Sequence, residues 1–162
     1  MADNYLRLSD TISAKEGKAY IFVDGQYREL FEISSLKAQL ELKVQERQML
    51  GHRMTQHKVV GATGTGSMTM YFMNSDMLNL AIAYIQKGRY SGIKIGVINE
   101  DAQSTVGRQE VQMMNVLFKT IPVATLDDQS DDPITIETEF TFDDINGIEF
   151  FKLPGNYTKQ PV

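Results

Sequence analysis

Leu36-Lys-Ala-Gln-Leu-Glu-Leu-Lys-Val44 is the stretch of this chain with the clearest periodicity. Apolar residues occupy every second position, and the positions between them are charged or polar. Successive side chains of a β-strand point to opposite faces, so this alternation predicts a half-buried strand with one solvated face. A helix would scatter the leucines around its circumference, so the stretch favours a β-rich fold.

A second alternating stretch covers residues 134–142, after the acidic loop 127–132 and the Asp132-Pro133 pair that fixes its start. Glu137 and Glu139 lie on its polar face, ~6.6 Å apart by the rise of a strand. Two carboxylates at such a distance are candidates for acid–base catalysis. Alternating Thr and Glu is also the ordinary composition of a solvated strand face, which we consider the better interpretation.

Shorter patterns predict further strands. Asp24-Gly25 is a hairpin turn signal between a strand over 18–23 and a return strand from Tyr27 through Phe31 to Ile33. A loose hairpin is expected around Gly107. The other predicted strands cover 67–73, 93–98, 108–118, 123–126 and 148–153.

One helix is predicted over Ser75–Lys87, with Ser75 as N-cap and Gly88 as C-terminal stop. Its apolar residues form a stripe that is expected to pack on the sheet; they are Met77, Leu78, Ala81, Ile82, Tyr84 and Ile85. The predicted fold is therefore mainly β, a mostly antiparallel sandwich or barrel with one flanking helix. We expect an N-terminal arm over 1–16, one β domain over 17–153 and a mobile C-terminal tail over 154–162.

The composition excludes several classes of protein. With 162 residues, 42% apolar and 23% charged, the chain matches an ordinary globular domain that is long enough to bury a core without disulfides or a structural metal. The absence of cysteine excludes disulfides and thiolate metal sites. No signal peptide and no membrane-spanning stretch is predicted, so no membrane insertion is expected. A net charge of −5 argues against tight binding of nucleic-acid phosphates.

A glycine-rich segment, Met49-Leu-Gly-His-Arg-Met-Thr-Gln-His-Lys-Val-Val-Gly-Ala-Thr-Gly-Thr-Gly-Ser67, superficially resembles a phosphate-binding loop. From Gly61 the second glycine of that motif falls correctly at Gly66, but Ser67 occupies the position of the essential lysine. No helix follows to bind the phosphates. The pattern therefore predicts a flexible loop in which glycine permits unusual backbone conformations, and no cofactor is expected.

Other catalytic patterns fail as well. His52 and His57 are the only histidines, and in an extended strand their spacing would place them on opposite faces, which is poor geometry for a shared metal. No nucleophile-elbow motif is present. The methionines, of which Met68 and Met113 are examples, are interpreted mainly as core residues rather than an adaptable interface. No catalytic or metal-binding residue is therefore predicted.

The same glycine-rich segment resembles tail tube proteins of contractile-tailed phages, and it is similar to the tube protein of PBSX-type defective prophages. The resemblance covers residues 14–152 and also includes Phe140-Thr-Phe-Asp-Asp144 near the end of the last long strand. The matching motif positions are Gly51, Arg53, Met54, Thr55, His57, Lys58, Gly61, Gly64, Thr65 and Gly66.

The resemblance implies a structural protein and not an enzyme. Members of this family are similar to the tubes of secretion systems and contractile bacteriocins, in which six subunits form a ring, sheets join around a lumen and rings stack. The implied partners are further copies of the chain, a tail sheath protein, a tape-measure protein and a baseplate, with DNA only as passing cargo. The implied location is the virion tail, after assembly in the bacterial cytoplasm.

Assembly assigns roles to the two patterned strands and to the glycine-rich segment. We expect residues 48–66 to form an assembly loop that is mobile in a free subunit and ordered by its neighbours. The polar faces of the strands are expected to line the lumen; the candidate residues are Lys37, Gln39, Glu41, Glu137 and Glu139. Two alternatives remain open, namely a carbohydrate- or ligand-binding β-sandwich of an adhesion module and an enzyme with an unrecognised site.

Overall fold

A computed structural model describes residues 7–23, 25–30, 32–90, 92–129 and 131–154. Strands dominate the regular structure of these residues, and one α-helix accompanies them. The elements in chain order are a 3-10 helix Leu8–Asp10, β1 Lys18–Val23, β2 Gln26–Glu29, β3 Ile33–Arg47, β4 Gln56–Tyr71, α1 Asp76–Lys87, β5 Ile93–Glu100, β6 Arg108–Phe118, β7 Thr135–Phe142 and β8 Asp144–Glu149.

The chain forms two compact units. The prediction of one β domain over 17–153 stays a prediction. The first unit comprises residues 1–31, 93–114 and 145–162, and the second comprises 32–92 and 115–144. Two of the four boundaries fall inside strands β6 and β8 and not in linkers.

In the first unit, β1 pairs antiparallel with both β2 and β5. Ile21 lies opposite Ile95 in this register, and both side chains are buried. The strand order is β2-β1-β5-β6, and β8 pairs with β6. The predicted β1 is confirmed, and Gly25 has a φ of 76°, as the turn requires, although Asp24 lies outside the described residues. The return strand ends at Glu29, earlier than predicted.

The described part of the predicted N-terminal arm is tied to the first unit. Asp10 is buried, and its carboxylate accepts a hydrogen bond from the Thr105 hydroxyl. The backbone N–H of Thr105 also donates to the carbonyl of Ser9, at 3.2 Å. Two such bonds on a buried carboxylate and its neighbour fix the position of the 3-10 helix. Residues 1–6 and 155–162 lie outside the described residues, so the expected mobile tail beyond Pro154 does as well.

The second unit contains the two strands with the clearest sequence patterns. Its strand order is β3-β4-β7, continued by the last residues of β6, which pair with β7. β4 pairs antiparallel with β3 along its whole length and with β7 from Gly64 to Tyr71. The core is mostly apolar and aromatic, with Phe140 fully buried and its ring against the edge of Phe118.

The predicted helix is confirmed as α1, but its buried side differs from the predicted stripe. Met77 and Leu80 are buried, whereas Ile85 is 80% exposed. The helix is apolar on more than one side, so the sequence could not decide which residues face the core. Ser75 occupies the N-cap position without a side-chain capping bond; instead the Asn74 Oδ1 accepts from the Asp76 N–H at 3.2 Å.

Two strand predictions near the C-terminal half are wrong. Residues 123–126 form no strand, and the last strand lies at Asp144–Glu149, before the predicted 148–153. The segment 123–126 carries β-forming residues, but no strand of the described part of the chain pairs with it. β-Propensity depends on packing and pairing with neighbouring strands, so β-forming residues do not form a strand where no neighbour pairs with them.

Candidate assembly surface

The long hairpin of β3 and β4 is the feature on which the functional interpretation depends. The two strands pair from Ile33 opposite Met70 to Arg47 opposite Gln56. β7 accompanies β4 only from Gly64 onward, so residues 41–63, the distal hairpin, form a two-stranded ribbon with its turn. Every residue of the distal hairpin is exposed. A two-stranded ribbon of this kind is marginally stable alone, which indicates that it needs a further packing partner.

One face of the hairpin is apolar and uncovered. Leu40, Leu42 and Val44 are 52%, 55% and 48% exposed. Val59, which lies opposite Val44 in the register, is also exposed. These four residues are the apolar hairpin face. The prediction that one face of 36–44 is half-buried is therefore wrong for most of the strand, because no third element among the described residues lies over it. Contiguous exposed apolar surface is typical of an interaction site.

The predicted assembly loop is largely strand. The prediction of a loop over 48–66 is wrong from Gln56 onward, where β4 begins, and only residues 48–55 connect the strands. Gly51 turns the chain there, with a φ of 80°. This connection, the hairpin tip, exposes Met49, Leu50 and Met54. The tip and the distal hairpin thus combine apolar side chains with a free strand edge, which natural proteins normally protect.

The Gly64-Thr-Gly66 repeat has a packing function and not the flexibility that the sequence suggested. A Cβ on Gly64 would lie 2.3 Å from Cε2 of Phe142, and one on Gly66 would lie 2.3 Å from Cζ of Phe140. In the register, Gly64 lies opposite Phe142 and Gly66 opposite Phe140. The two aromatic rings of β7 therefore cover the two glycines of β4, an arrangement known to stabilise glycine within sheets.

The polar face of the second unit brings the predicted lumen residues together. Antiparallel partners share a face, and one row across the three strands consists of Lys37, Ser67 and Glu139. The neighbouring rows contain Gln39 with Thr65, and Thr69 with Glu137. Glu41 continues the same face opposite Thr63 on the ribbon. All five predicted residues are exposed, so they form one continuous polar surface, the polar hairpin face.

A shallow depression marks the polar hairpin face between β3 and β7. It is lined by Lys37, Gln39, Ser67, Lys119 and Glu139, among others. Its charged residues are two lysines and one glutamate, which gives a mixed-charge surface. Such a surface is well hydrated and suits a boundary with water better than a site for one small ligand.

The ten motif residues divide between the tip and β4. Gly51, Arg53, Met54 and Thr55 lie in the hairpin tip, and the others lie on β4. His57 faces Glu46 across the strands, with its Nε2 3.5 Å from Oε1; both side chains are mostly exposed. An exposed pair of this kind contributes little to stability. Of the ten motif residues, all except Gly64, Thr65 and Gly66 are exposed, so most of the motif lies at the surface.

The described residues offer little for catalysis. No group of three or more His, Asp or Glu within them could hold a metal. The guanidinium of Arg108 is surrounded by carboxylates of Glu110 and Glu149, each 3.2 Å away, which is a structural ion-pair network. Desolvation, helped by a hydrogen bond with Tyr20, raises the pKa of Tyr27 above the ordinary value of a tyrosine. No helix among the described residues has the length and apolar character that a membrane span requires.

Comparison with known proteins places these features in a family. The family model described as "Phage tail tube protein" matches residues 4–149. The chain belongs to the phage tail tube protein family. It is 34% identical over 141 residues to the phage-like element PBSX protein XkdM of Bacillus subtilis, with 87% of this chain and 92% of that protein covered. It is also 34% identical over 147 residues to the uncharacterized protein YqbM of the same organism, with 91% and 97% covered.

Solved structures with low sequence identity share the fold. A chain of the PVC extracellular contractile injection system, from its sheath/tube terminator in the extended state, has a TM-score of 0.67 at 11% identity, with 86% of this chain and 97% of that chain covered. A chain of the sheath-tube complex of that system has a TM-score of 0.64 at 12% identity, with 91% and 95% covered. The mostly antiparallel β fold with one helix is thus that of tail tube proteins, and membership of that family indicates a structural protein.

Two structural features of this phage tail tube protein were not predicted from its sequence. The apolar hairpin face was expected in the core, because alternation alone does not say whether the chain itself covers the apolar side. The pairing of Gly64 and Gly66 with aromatic rings was also missed. Its signal was available, since Gly-x-Gly in β4 matches Phe-x-Phe in β7 at the same spacing.

Proposed function

We propose that this chain is the subunit of the inner tube of a contractile phage tail or a phage-tail-like particle. Six copies form a ring, rings stack into a tube, and the tube is the conduit for DNA or effectors. The proposal is supported by membership of the tail tube family and by the tube-like fold. The observation that carries it is the apolar hairpin face, which is exposed in the single chain and therefore needs a neighbouring copy to cover it.

The proposed contact is energetically reasonable. Full burial of a leucine or valine side chain contributes about 1.5–3 kcal/mol, so burying the remaining exposed half contributes roughly 1 kcal/mol per residue. Leu40, Leu42 and Val44 together would favour each contact by about 3 kcal/mol before Val59 and the hairpin tip are counted. A contact between two different surfaces of the same chain closes into a ring when the rotation between copies closes. Joining sheets around that ring also removes the free edge of the ribbon.

The polar hairpin face is proposed to line the lumen. If the apolar hairpin face is covered by another copy, the opposite face of the same strands is the one that remains in water. Its mixed charge, with Lys37 beside Glu139 on one row, leaves no strongly basic surface that would retain DNA. DNA is accordingly a passing cargo and not a bound ligand in this proposal.

The proposed partners other than further copies of the chain follow from the particle type. A sheath surrounds the tube, a tape-measure protein occupies it before ejection, and a baseplate terminates it. The printed description of one similar structure, a sheath-tube complex, supports the sheath as a neighbour. The proposed location is the tail of the virion, after assembly in the cytoplasm of the bacterial host.

Electron microscopy of a shortened hairpin tests the proposal. Residues 41–63 are replaced by Asn-Gly, a pair that makes a tight hairpin turn, so that Leu40 and Gly64 remain paired. We expect the intact protein to form rings or tubes in negative stain, alone or with sheath protein, and the shortened protein to remain monomeric and folded. The proposal fails if the intact protein forms no ring under any condition, or if the shortened protein assembles equally well.

A further inference from the structure

Three aromatic side chains lie together on the first unit, on the face of its sheet that is turned away from the core. Phe22 lies opposite Tyr27 in the pairing of β1 with β2, and Tyr20 shares the face of Phe22. The rings of Tyr20 and Tyr27 stack, with 4.9 Å between centroids, and the ring of Phe22 lies 5.0 Å from that of Tyr27. The buried residues Ile21 and Ile95 occupy the opposite face of the sheet. We call Tyr20, Phe22 and Tyr27 the aromatic platform.

The aromatic platform is accessible, and its chemistry suits cations and methionine sulfur. Tyr27 stacks on Tyr20 and is nevertheless 58% exposed. Lys94 lies opposite Phe22 on β5, and its Nζ is 6.0 Å from the centroid of the Phe22 ring, so one cation of the same chain already uses the platform. Glu29 shares the face of Tyr27 on β2 and is exposed. Aromatic rings beside a carboxylate favour a partner that carries positive charge and polarisable apolar groups.

The hairpin tip carries the complementary groups. Leu50 is fully exposed, Met49 and Met54 are at least half exposed, and Arg53 is exposed beside them. The tip contains no acidic residue. The backbone N–H of His52 donates to the carbonyl of Met49 at 3.3 Å, and its ring Nδ1–H donates to the carbonyl of Met54 at 3.1 Å. These two hydrogen bonds define the turn before a partner binds, so binding costs the tip less conformational entropy.

We propose that the hairpin tip of one copy docks on the aromatic platform of a second copy. Methionine sulfur and the guanidinium of arginine both interact favourably with aromatic rings, and Met54 and Arg53 carry these groups to the exposed ring of Tyr27. Glu29 of the receiving copy supplies the opposite charge for Arg53. The contact joins two different surfaces of the same chain, so it can pass from copy to copy. This inference rests on the proposed function and names the surface that receives the tip.

A second copy fits the aromatic platform better than a small ligand such as a sugar does. Sites for small ligands are usually concave and enclose most of the ligand, whereas the platform lies on the face of a sheet. Protein interfaces, in contrast, are enriched in tyrosine and arginine at the positions that contribute most to binding. The tip presents an arginine and three apolar side chains together, which is the composition that such a surface recognises.

A double-mutant cycle tests the contact. Leu50→Ser and Tyr27→Thr are each expected to raise the concentration needed for assembly by roughly tenfold, since truncation of a central interface residue has about that effect. The protein with both changes should need no more than about threefold beyond either single variant, because the two side chains serve one contact. Tyr84→Gln is the matched control, since it removes from α1 a ring that is 57% exposed, and it should assemble like the wild type. Sedimentation over a concentration series measures all five proteins, and circular dichroism checks that each is folded.

Cross-linking provides a second, independent measurement, because the chain contains no cysteine. Met54→Cys protein is mixed with Glu29→Cys protein, and the assembled particles are treated with a short bismaleimide. We expect a cross-linked dimer from the mixture and none from either variant alone. All three rings of the aromatic platform are intact in this experiment, so its result does not depend on how well a platform variant folds.

The outcomes separate this contact from the tube function. The contact is wrong, and the tube function stands, if the wild type assembles and no mixed dimer forms. The same conclusion follows if the two changes together cost about a hundredfold, as independent sites would, or if Tyr84→Gln costs as much as Tyr27→Thr. Binding of the monomer to a glycan array that Tyr27→Thr abolishes would make the platform a carbohydrate site instead. If the wild type itself never assembles, the proposed function fails and this contact fails with it.

Discussion

Replacing Leu40, Leu42 and Val44 together by threonine is expected to abolish the formation of rings and tubes while the monomer stays folded. Threonine is β-branched and therefore favoured in strands, but it removes most of the apolar surface of these side chains. The loss of about 3 kcal/mol at each contact corresponds to more than a hundredfold weaker association. The three side chains are about half exposed in the single chain, so the monomer should lose little stability. Sedimentation velocity and negative-stain microscopy give the assembly state.

A control on the same strand separates this effect from a general loss of β3. Lys37→Thr, Gln39→Thr and Glu41→Thr introduce the same residue at three alternate positions on the polar hairpin face. This variant is expected to assemble, because the proposed lumen side contacts water and not another copy. Assembly of the apolar-face variant at the concentration that suffices for the wild type would show that this face is not an interface.

Gly64→Ala is expected to destabilise the folded protein strongly, because the added methyl group has no room. The new Cβ would lie 2.3–2.7 Å from three atoms of the Phe142 ring, which is buried and cannot move away freely. Overpacking of this kind costs about 1–3 kcal/mol. Gly61→Ala is the matched control on the same strand, since its nearest neighbour is Lys43 Cβ at 3.9 Å. The control should change the free energy of unfolding by less than about 0.5 kcal/mol in urea denaturation.

A double-mutant cycle tests whether the aromatic ring causes the loss. Phe142→Leu shortens the side chain opposite Gly64, so the alanine should cost less in that background than in the wild type. A coupling free energy of about 1 kcal/mol or more is expected for residues in direct contact. Equal costs of Gly64→Ala in both backgrounds would mean that the glycine is required for some other reason.

The strands of this protein were predictable where local pattern and tertiary packing agree. β6 was predicted with its observed bounds, and β7 within one residue, because their apolar residues face a core that the same chain provides. The same reasoning failed for β3, where the alternation was correct and the burial was not. Periodicity indicates that one side of a strand is apolar and needs to be covered. It does not indicate whether the same chain or another molecule covers that side.

The glycine-rich segment shows a second limit of local reasoning. Glycines at 61, 64 and 66 looked like a flexible loop because glycine is most often found where the backbone must turn. The register places two of them beneath Phe140 and Phe142, which are more than 70 residues away in the chain. Only the pairing of distant strands brings such partners together, so the glycines could not be interpreted from their own neighbourhood. Residues 123–126 are the converse case: their own sequence predicted a strand, and in the structure they are exposed and form none.

Thiol labelling at two positions of β3 tests the central claim that the two faces of the hairpin have different surroundings in the tube. Leu42→Cys and Gln39→Cys each introduce the single cysteine of the chain, on opposite faces of the same strand. With a small maleimide, both should react rapidly in the monomer. In assembled tubes, the thiol of Leu42→Cys is predicted to react at least tenfold more slowly, which is the change that about 1.4 kcal/mol of burial produces. Gln39→Cys is predicted to stay reactive, because the reagent reaches it through the open lumen. Protection of Gln39→Cys with Leu42→Cys still reactive, or equal reactivity of both in tubes, would contradict the account.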